Sequence, residues 1–582
     1  MPSGWAQTVF SGQSEYGRAM HIAISPVPSS GYYQIAAPPE MTGLVWLDAT
    51  YPDGSKIELV AQDKSDGWIV IDGSKISETG GVRSIVVSFV SFGRVAPAGF
   101  SPIVDIRIKP AFFVSPTGSG TFGTPDAPGQ WDLTVVSHRD DAWPCAILFQ
   151  SGNYATNGST AYSFVSGNVA MYGGFDGNDW LIRNERSSLF SSVAPAEATT
   201  LYFGDMSSNA SVTIDGFTVL SKTAGVSDNG AIVGSTSGEV VIHDCSIGPD
   251  SPNATSFNLT GVSLSNANAA GSFYLINNDI SAGSTSKTSG ATATRGLNIN
   301  SNQLTAKYFI YGCRIDGGTS ISTDPSTNAA RSEGVSLQGE GRFYVVGNII
   351  WGGVSHRAVS DNAYSYGIYA GALNGPAWFV SNLVCGGRST GTGGASAHVY
   401  GIYLSASQNT GIAHMNTIYS GTTNDPAEID PYAVWYSIST AVAHGFSGNI
   451  VIANDDGASS MAIYNFSPIS SFDPFSYNAI WGRQDGYQIG LGQNNHFSSD
   501  WAPSGALARF SNDTFITASE FIAADFHIAA GDPGLLGSIA SADASLAQYK
   551  NEAATQGFQF AFFDAAGVER PLSGNWTLGA FQ

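Results

Sequence analysis

Charge is scarce in this chain. Only 12% of its 582 residues are charged, about half the usual share for a soluble domain. What charge there is leans one way, to a formal net of −22. No basic stripe exists to release counterions from a phosphate backbone, so no nucleic-acid partner is expected. Apolar runs are short. None reaches the roughly 18 residues of a bilayer span, which argues against membrane insertion. Met1-Pro2-Ser3-Gly4-Trp5 lacks the basic and apolar regions of a signal peptide. Either such a signal has been removed, or the protein leaves the cell another way, such as lysis around a virus particle. Cysteine is rare as well. Cys145, Cys245, Cys313 and Cys385 form no CxxC pair and no cluster with His, so they read as packed thiols and no metal site is expected. Phosphate loops, nucleophile elbows and zinc motifs are missing. Helical patterning is confined to Ser541 to Ala554.

What the chain has is a repeat. Phe217, Cys245, Asn278, Cys313, Asn348, Asn382, Asn416, Asn449 and Asn478 are each followed two residues on by Val or Ile, at steps of 28, 33, 35, 35, 34, 34, 33 and 29 residues. A period in this range marks a stacked architecture whose units bury their apolar faces against their neighbours. A second ladder, Gly261, Gly296, Gly334, Gly367, Gly401, Ala433 and Ala462, precedes alternating triplets such as Val335-Ser336-Leu337 and Ile402-Tyr403-Leu404. A third apolar strand lies between, as in Phe343-Tyr344-Val345-Val346. Three short strands per coil, with Gly and Asn at the turns, describe a parallel β-helix. Asn suits the turns because it tolerates the left-handed conformation and its amide bonds the coil above. Cys245 and Cys313 fall two coils apart, roughly 9.6 Å by strand spacing, beyond the reach of a disulfide.

The expected fold is therefore all-β. A right-handed parallel β-helix of about ten coils covers residues 112–500. Residues 1–111 show turn-separated alternation, as in Ile85 to Val90, and read as a small N-terminal β-sandwich for anchoring or assembly. Residues 501–582 form C-terminal coils and a cap over the open end.

Three motifs resemble pectate-lyase-like β-helix proteins, including phage tail spikes and bacterial surface proteins. They are Val114-Ser115-Pro116-Thr117-Gly118-Ser119-Gly120, Met171-Tyr172-Gly173-Gly174-Phe175-Asp176-Gly177, and the ending with Arg570-Pro571 and Trp576-Thr577-Leu578-Gly579-Ala580-Phe581. Asp525-Phe526-His527-Ile528 fits the same terminal segment. The resemblance covers about residues 112 to 582 and implies the fold, but that superfamily spans lyases, hydrolases, adhesins and tail spikes. No lyase Arg or hydrolase Asp-Asp signature carries over.

The outward residue of the second ladder runs Ser263, Asn298, Ser336, Tyr369, Tyr403, Trp435 and Tyr464. The last four form an aromatic stripe suited to the faces of a polysaccharide. The structural alternative is a stripe covered by a loop, the C-terminal segment or a partner chain. The stretches before this ladder, such as Gly352 to Tyr366, read as long Ser/Gly-rich loops where binding residues concentrate. They carry Asp361, Glu428 and Asp430, the candidate carboxylates for a glycosidase pair if the loops fold together; as solvated turn residues they carry no chemistry. No cofactor is expected. Calcium has only the Asp176-Gly177-Asn178-Asp179 and Asn454-Asp455-Asp456-Gly457 clusters to draw on, and both lack EF-hand spacing.

The leading expectation is a virion- or surface-exposed protein recognising cell-surface polysaccharide, like a tail spike or tail fibre. That resemblance implies a homotrimer, assembled through the N-terminal domain, at an extracellular or virion-surface location. Whether it is also a depolymerase is left open. The alternatives are a secreted polysaccharide lyase or glycoside hydrolase, and a structural or adhesive filament-forming surface protein.

Overall fold

The computed structural model describes residues 107 to 481 with short breaks, together with isolated strands before residue 107 and a few short pieces after 481. Its elements are strands. A middle coil uses four of them: Ala363–Leu373, Ala377–Val380, Leu383–Cys385 and Arg388–Gly391. Each pairs in parallel with its equivalent one coil on. Stacking yields four sheets, called sheets 1 to 4 in that order, of 12, 14, 11 and 6 strands. The molecule is a parallel β-solenoid, as the repeat requires.

Sheets 1 to 3 enclose one continuous core. Sheet 1 sends in Val335, Leu337, Ile368, Ala370, Ile402 and Leu404; sheet 2 sends in Tyr308, Ile310, Phe343 and Val345; sheet 3 sends in Ile315, Ile350, Val384, Ile418 and Val451. The aliphatics that follow the repeat stations are thus the lining of sheet 3. The corner between sheets 2 and 3 is a left-handed residue followed by the station itself. Asp244, Gly312, Gly347, Ser381 and Met415 all have positive φ there, a conformation the Asn-type turn exploits.

The station amides form a buried ladder. Asn348, Asn382 and Asn416 each donate Nδ2 to a strand carbonyl of the preceding coil, Ile310, Val345 and Phe379, at 2.8 to 2.9 Å. Their backbone N–H groups each donate to the Oδ1 of the next station at 3.0 Å. Cys245, Cys313 and Cys385 are free, buried thiols. The spacing argument against a Cys245–Cys313 bridge holds.

Sheet 4 is where structure and sequence part. The stretches that read as long loops fold instead into arms. Each arm is a sheet 4 strand laid against the first half of the following sheet 1 strand. Their interface is built of small hydroxyls. Ser355 Oγ donates to Ser389 Oγ at 3.0 Å, Ser389 Oγ to the Ala363 carbonyl at 2.9 Å, and Ser365 Oγ to the Gly386 carbonyl at 2.6 Å. Arg357, almost wholly buried, donates Nη1 to Ser322 Oγ at 2.6 Å. Ser, Thr and Gly mimic loop composition here although their hydroxyls are bonded to carbonyls of neighbouring strands.

The strands before residue 107 pair antiparallel: Ala19–Ile24 with Ile85–Val90, Tyr32–Ala36 with Trp68–Asp72, and Val45–Thr50 with Lys56–Gln62. Arg107–Val114 joins them to the solenoid, antiparallel to Ile85–Val90 and parallel to Cys145–Gln150. Sandwich packing of this region, and the helical stretch Ser541 to Ala554, lie outside the described residues. Near the C-terminus, buried Ala580 donates its N–H to Thr417 Oγ1 at 3.0 Å. That contact falls on sheet 3, two strands before its last.

Candidate functional site

Each middle strand of sheet 1 bends at a glycine: Gly334, Gly367 and Gly401. The bend brings backbones so close that a Cβ on Gly367 would lie 2.6 Å from both the Gly401 carbonyl oxygen and Val384 Cγ1. Residues before the glycine belong to the arm, and residues after it belong to the solenoid wall. Outside the core, the rings carried by the two halves meet along the solenoid, and this ring-lined face is called the trough.

Two rows of rings line it. On the wall, Tyr369, Tyr403, Trp435 and Tyr464 occupy one register column, with centroid steps of 5.3, 6.0 and 4.4 Å. On the arm side, Tyr366, Tyr400 and Tyr432 stack at 5.0 and 5.8 Å. The rows meet edge to face: Tyr366 and Tyr369 are 5.1 Å apart at 65°, Tyr400 and Tyr403 5.4 Å at 78°, Tyr432 and Trp435 5.1 Å at 69°. Edge-to-face and offset contacts are the favourable aromatic geometries. The arm-side row is buried beneath the wall row, which keeps part of its surface open. This cluster is separate from the core of the solenoid.

The four residues of the expected stripe are therefore in register and stacked, and each is partly buried. Another outward row, Tyr274, Phe309, Tyr344 and Trp378 on sheet 2, stacks at 4.6 to 4.7 Å. There Phe309, Tyr344 and Trp378 are buried. The sheet 2 row is thus the more deeply buried of the two.

The upstream end of the trough is charged. Glu333, fully buried, stands in the column of Tyr366, one coil earlier; Arg295 stands one coil earlier again. Arg295 Nε donates to Glu333 Oε2 at 3.1 Å, and Arg331 Nε pairs with Glu333 Oε1. The Arg331 guanidinium lies over two rings, 3.9 Å from the centroid of Tyr369 and 4.8 Å from that of Tyr366. Burial works to lower the Arg331 pKa, but the Glu333 carboxylate beside it outweighs this and holds the guanidinium above its usual range. Burial raises the Tyr366 and Tyr403 phenols, so both remain neutral hydrogen-bonding groups at ordinary pH.

Of the candidate carboxylates, Asp361 and Glu428 lie outside the described residues. Asp430 is on the strand Ile429–Ile438, in the column of Arg331, Tyr364 and His398; its side chain lies outside the described residues. The two calcium clusters, at 176–179 and 454–457, also lie outside them. The Arg295, Glu333, Arg331 group was missed from sequence. Its signal was there: reading the residue before each ladder glycine gives Thr260, Arg295, Glu333, Tyr366, Tyr400.

No family model, curated protein or solved structure matches the chain. The parallel solenoid is the fold that the pectate-lyase-like resemblance implies, and the likeness stands at the level of the fold.

Proposed function

We propose that this is a surface- or virion-exposed β-helix protein that recognises cell-surface polysaccharide in the trough of sheet 1, in the manner of a tail spike or tail fibre. The observation that carries the reading is the stacked, half-open row Tyr369, Tyr403, Trp435 and Tyr464. The apolar faces of sugar rings can pack against the exposed edges of this ring row. Three strand spacings, roughly 14 Å, suit a short run of sugars in an extended chain. On this reading the protein acts outside a cell or on a virion, as a homotrimer assembled through residues 1–111.

Binding to a panel of bacterial polysaccharides and to whole cells tests the proposal. Tyr403→Ala and Trp435→Ala are each expected to weaken binding at least about tenfold while the melting temperature stays near that of the parent. Unchanged binding by both variants would overturn the trough as the site. Following reducing ends and unsaturated sugars in the same panel separates recognition from hydrolase or lyase action.

A further inference from the structure

We propose that the C-terminal segment which carries Ala565 and Ala580 is a lateral clasp: it lies over the outer face of sheet 3 from Trp351 to Ile452 and seals that face. The inference does not depend on what the trough of sheet 1 binds. Sheet 3 changes character along its length. Asp279, Arg314 and Asp316 point outward in its earlier coils and keep contact with solvent. In the coils that follow, the same two register columns hold Trp351, Leu383, Cys385, Tyr419, Ile450 and Ile452. These six alternate with Ile350, Val384, Ile418 and Val451, which line the core, so their side chains leave the opposite face of the sheet. None of the six joins the core enclosed by sheets 1 to 3, yet none exposes more than 2% of its surface. A single chain achieves this burial, so the cover is a part of the chain itself.

Ala580 identifies the cover. It is itself wholly buried, lies 163 residues beyond Thr417 in the chain, and donates its N–H to Thr417 Oγ1 at 3.0 Å. Thr417 stands between Leu383 and Ile450 in an outward column. Its hydroxyl gives that stretch a directional anchor, and the flanking aliphatics and rings supply the apolar area for the clasp to bury. The segment is also tied to itself. Ala565 N–H donates to the Ala580 carbonyl at 2.8 Å, and Ile539–Ala540 pairs antiparallel with Asn575–Trp576. A cap over the open end of the solenoid would meet Ala479–Trp481, the last strand of sheet 3. The Ala580 contact falls two strands earlier, on the flank.

The test uses the full chain, with Cys385 as reporter and Cys245 and Cys313 as internal controls. Cys385 faces the clasp, whereas Cys245 and Cys313 face the core. Ala580→Asp places a carboxylate in the sealed contact. Thr417→Val removes only the acceptor at nearly unchanged shape, and it carries the test if the carboxylate prevents folding. Native protein is treated with iodoacetamide and, separately, with hydroxyl radicals, and the modified peptides are identified by mass. Cys385 in Ala580→Asp is expected to react at least about tenfold faster than in the parent, and in Thr417→Val several-fold faster. Oxidation of Trp351 and Tyr419 should rise in step while Cys245 and Cys313 stay protected. An unchanged Cys385 rate in both folded variants would overturn the clasp and leave another part of the chain as the cover. Equal acceleration of all three thiols would also overturn it, because the segment would then support the fold as a whole instead of covering one face.

Discussion

Asn382 makes four hydrogen bonds with one buried amide. Its Oδ1 accepts from the N–H and Nδ2 of Asn348, and its Nδ2 reaches the Val345 carbonyl and Asn416 Oδ1. Asn382→Ala would strand groups in two neighbouring coils, and each buried unsatisfied group costs about 1–3 kcal/mol. A loss on the order of 3 kcal/mol in denaturant unfolding is expected. Cys313 imitates the same residue imperfectly. Its backbone N–H donates to Asn348 Oδ1 at 2.9 Å, its thiol lies 3.4 Å from the Leu275 carbonyl, and its sulfur is a weak acceptor for Asn278 N–H at 3.5 Å. Cys313→Asn should complete the ladder and raise stability by about 1 kcal/mol; a lower melting temperature would show that the corner geometry rejects the amide. These stations were legible in sequence because the turn repeats chemistry as well as spacing. The roles of the individual bonds were not legible, since one coil's acceptor is the next coil's side chain.

At the scale of elements, the bend of sheet 1 decides whether an aromatic stripe becomes a trough. In a flat strand Tyr366 and Tyr369, three residues apart, would point to opposite faces; around Gly367 their rings instead meet at 65°. Gly367→Ala places a methyl against the Gly401 carbonyl and Val384. Overpacking of this kind costs about 1–3 kcal/mol, and the displaced strand carries both ring rows with it. The expected outcome is glycan affinity that falls more steeply than stability, measured by paired binding and melting curves. Equal affinity after correction for folded fraction would mean that the rings bind without the bend. The glycine ladder and the outward aromatics could be read from alternation alone. The arms could not, because Ser and Thr hydroxyls bonded to carbonyls leave the same composition as solvated loops. The Arg295, Glu333 and Arg331 group escaped for a related reason. Its members come from two adjacent coils, and nothing local in sequence distinguishes a sealed Glu from a solvated one.

For the whole molecule, cohesion comes from contacts between successive coils, so one weak coil is a weak point for the solenoid. Several of the groups that seal those contacts are acids kept neutral by burial. Burial pushes the thiols of Cys245 and Cys313, and the phenol of Tyr308, up to about 12. In the unfolded chain the thiols titrate near 9.0 and the phenol near 10.0. Below about pH 9 both states hold these protons and stability is indifferent to them. Above it the unfolded chain releases protons that the folded chain retains, so stability falls, by about 1.4 kcal/mol per pH unit for each group so engaged. The decline should extend to about pH 12, where the folded groups themselves ionise. Thermal melts from pH 7 to 11 should be level and then drop beyond pH 9. Iodoacetamide at pH 9 should leave Cys245 and Cys313 unmodified in the folded protein and alkylate both in denaturant, as peptide masses would record. Native labelling of either thiol would mean that the coils open locally on the time scale of the reaction. Alkaline decline without labelling ties the loss to global unfolding, which is the behaviour of a solenoid whose coils are locked together through the ladder.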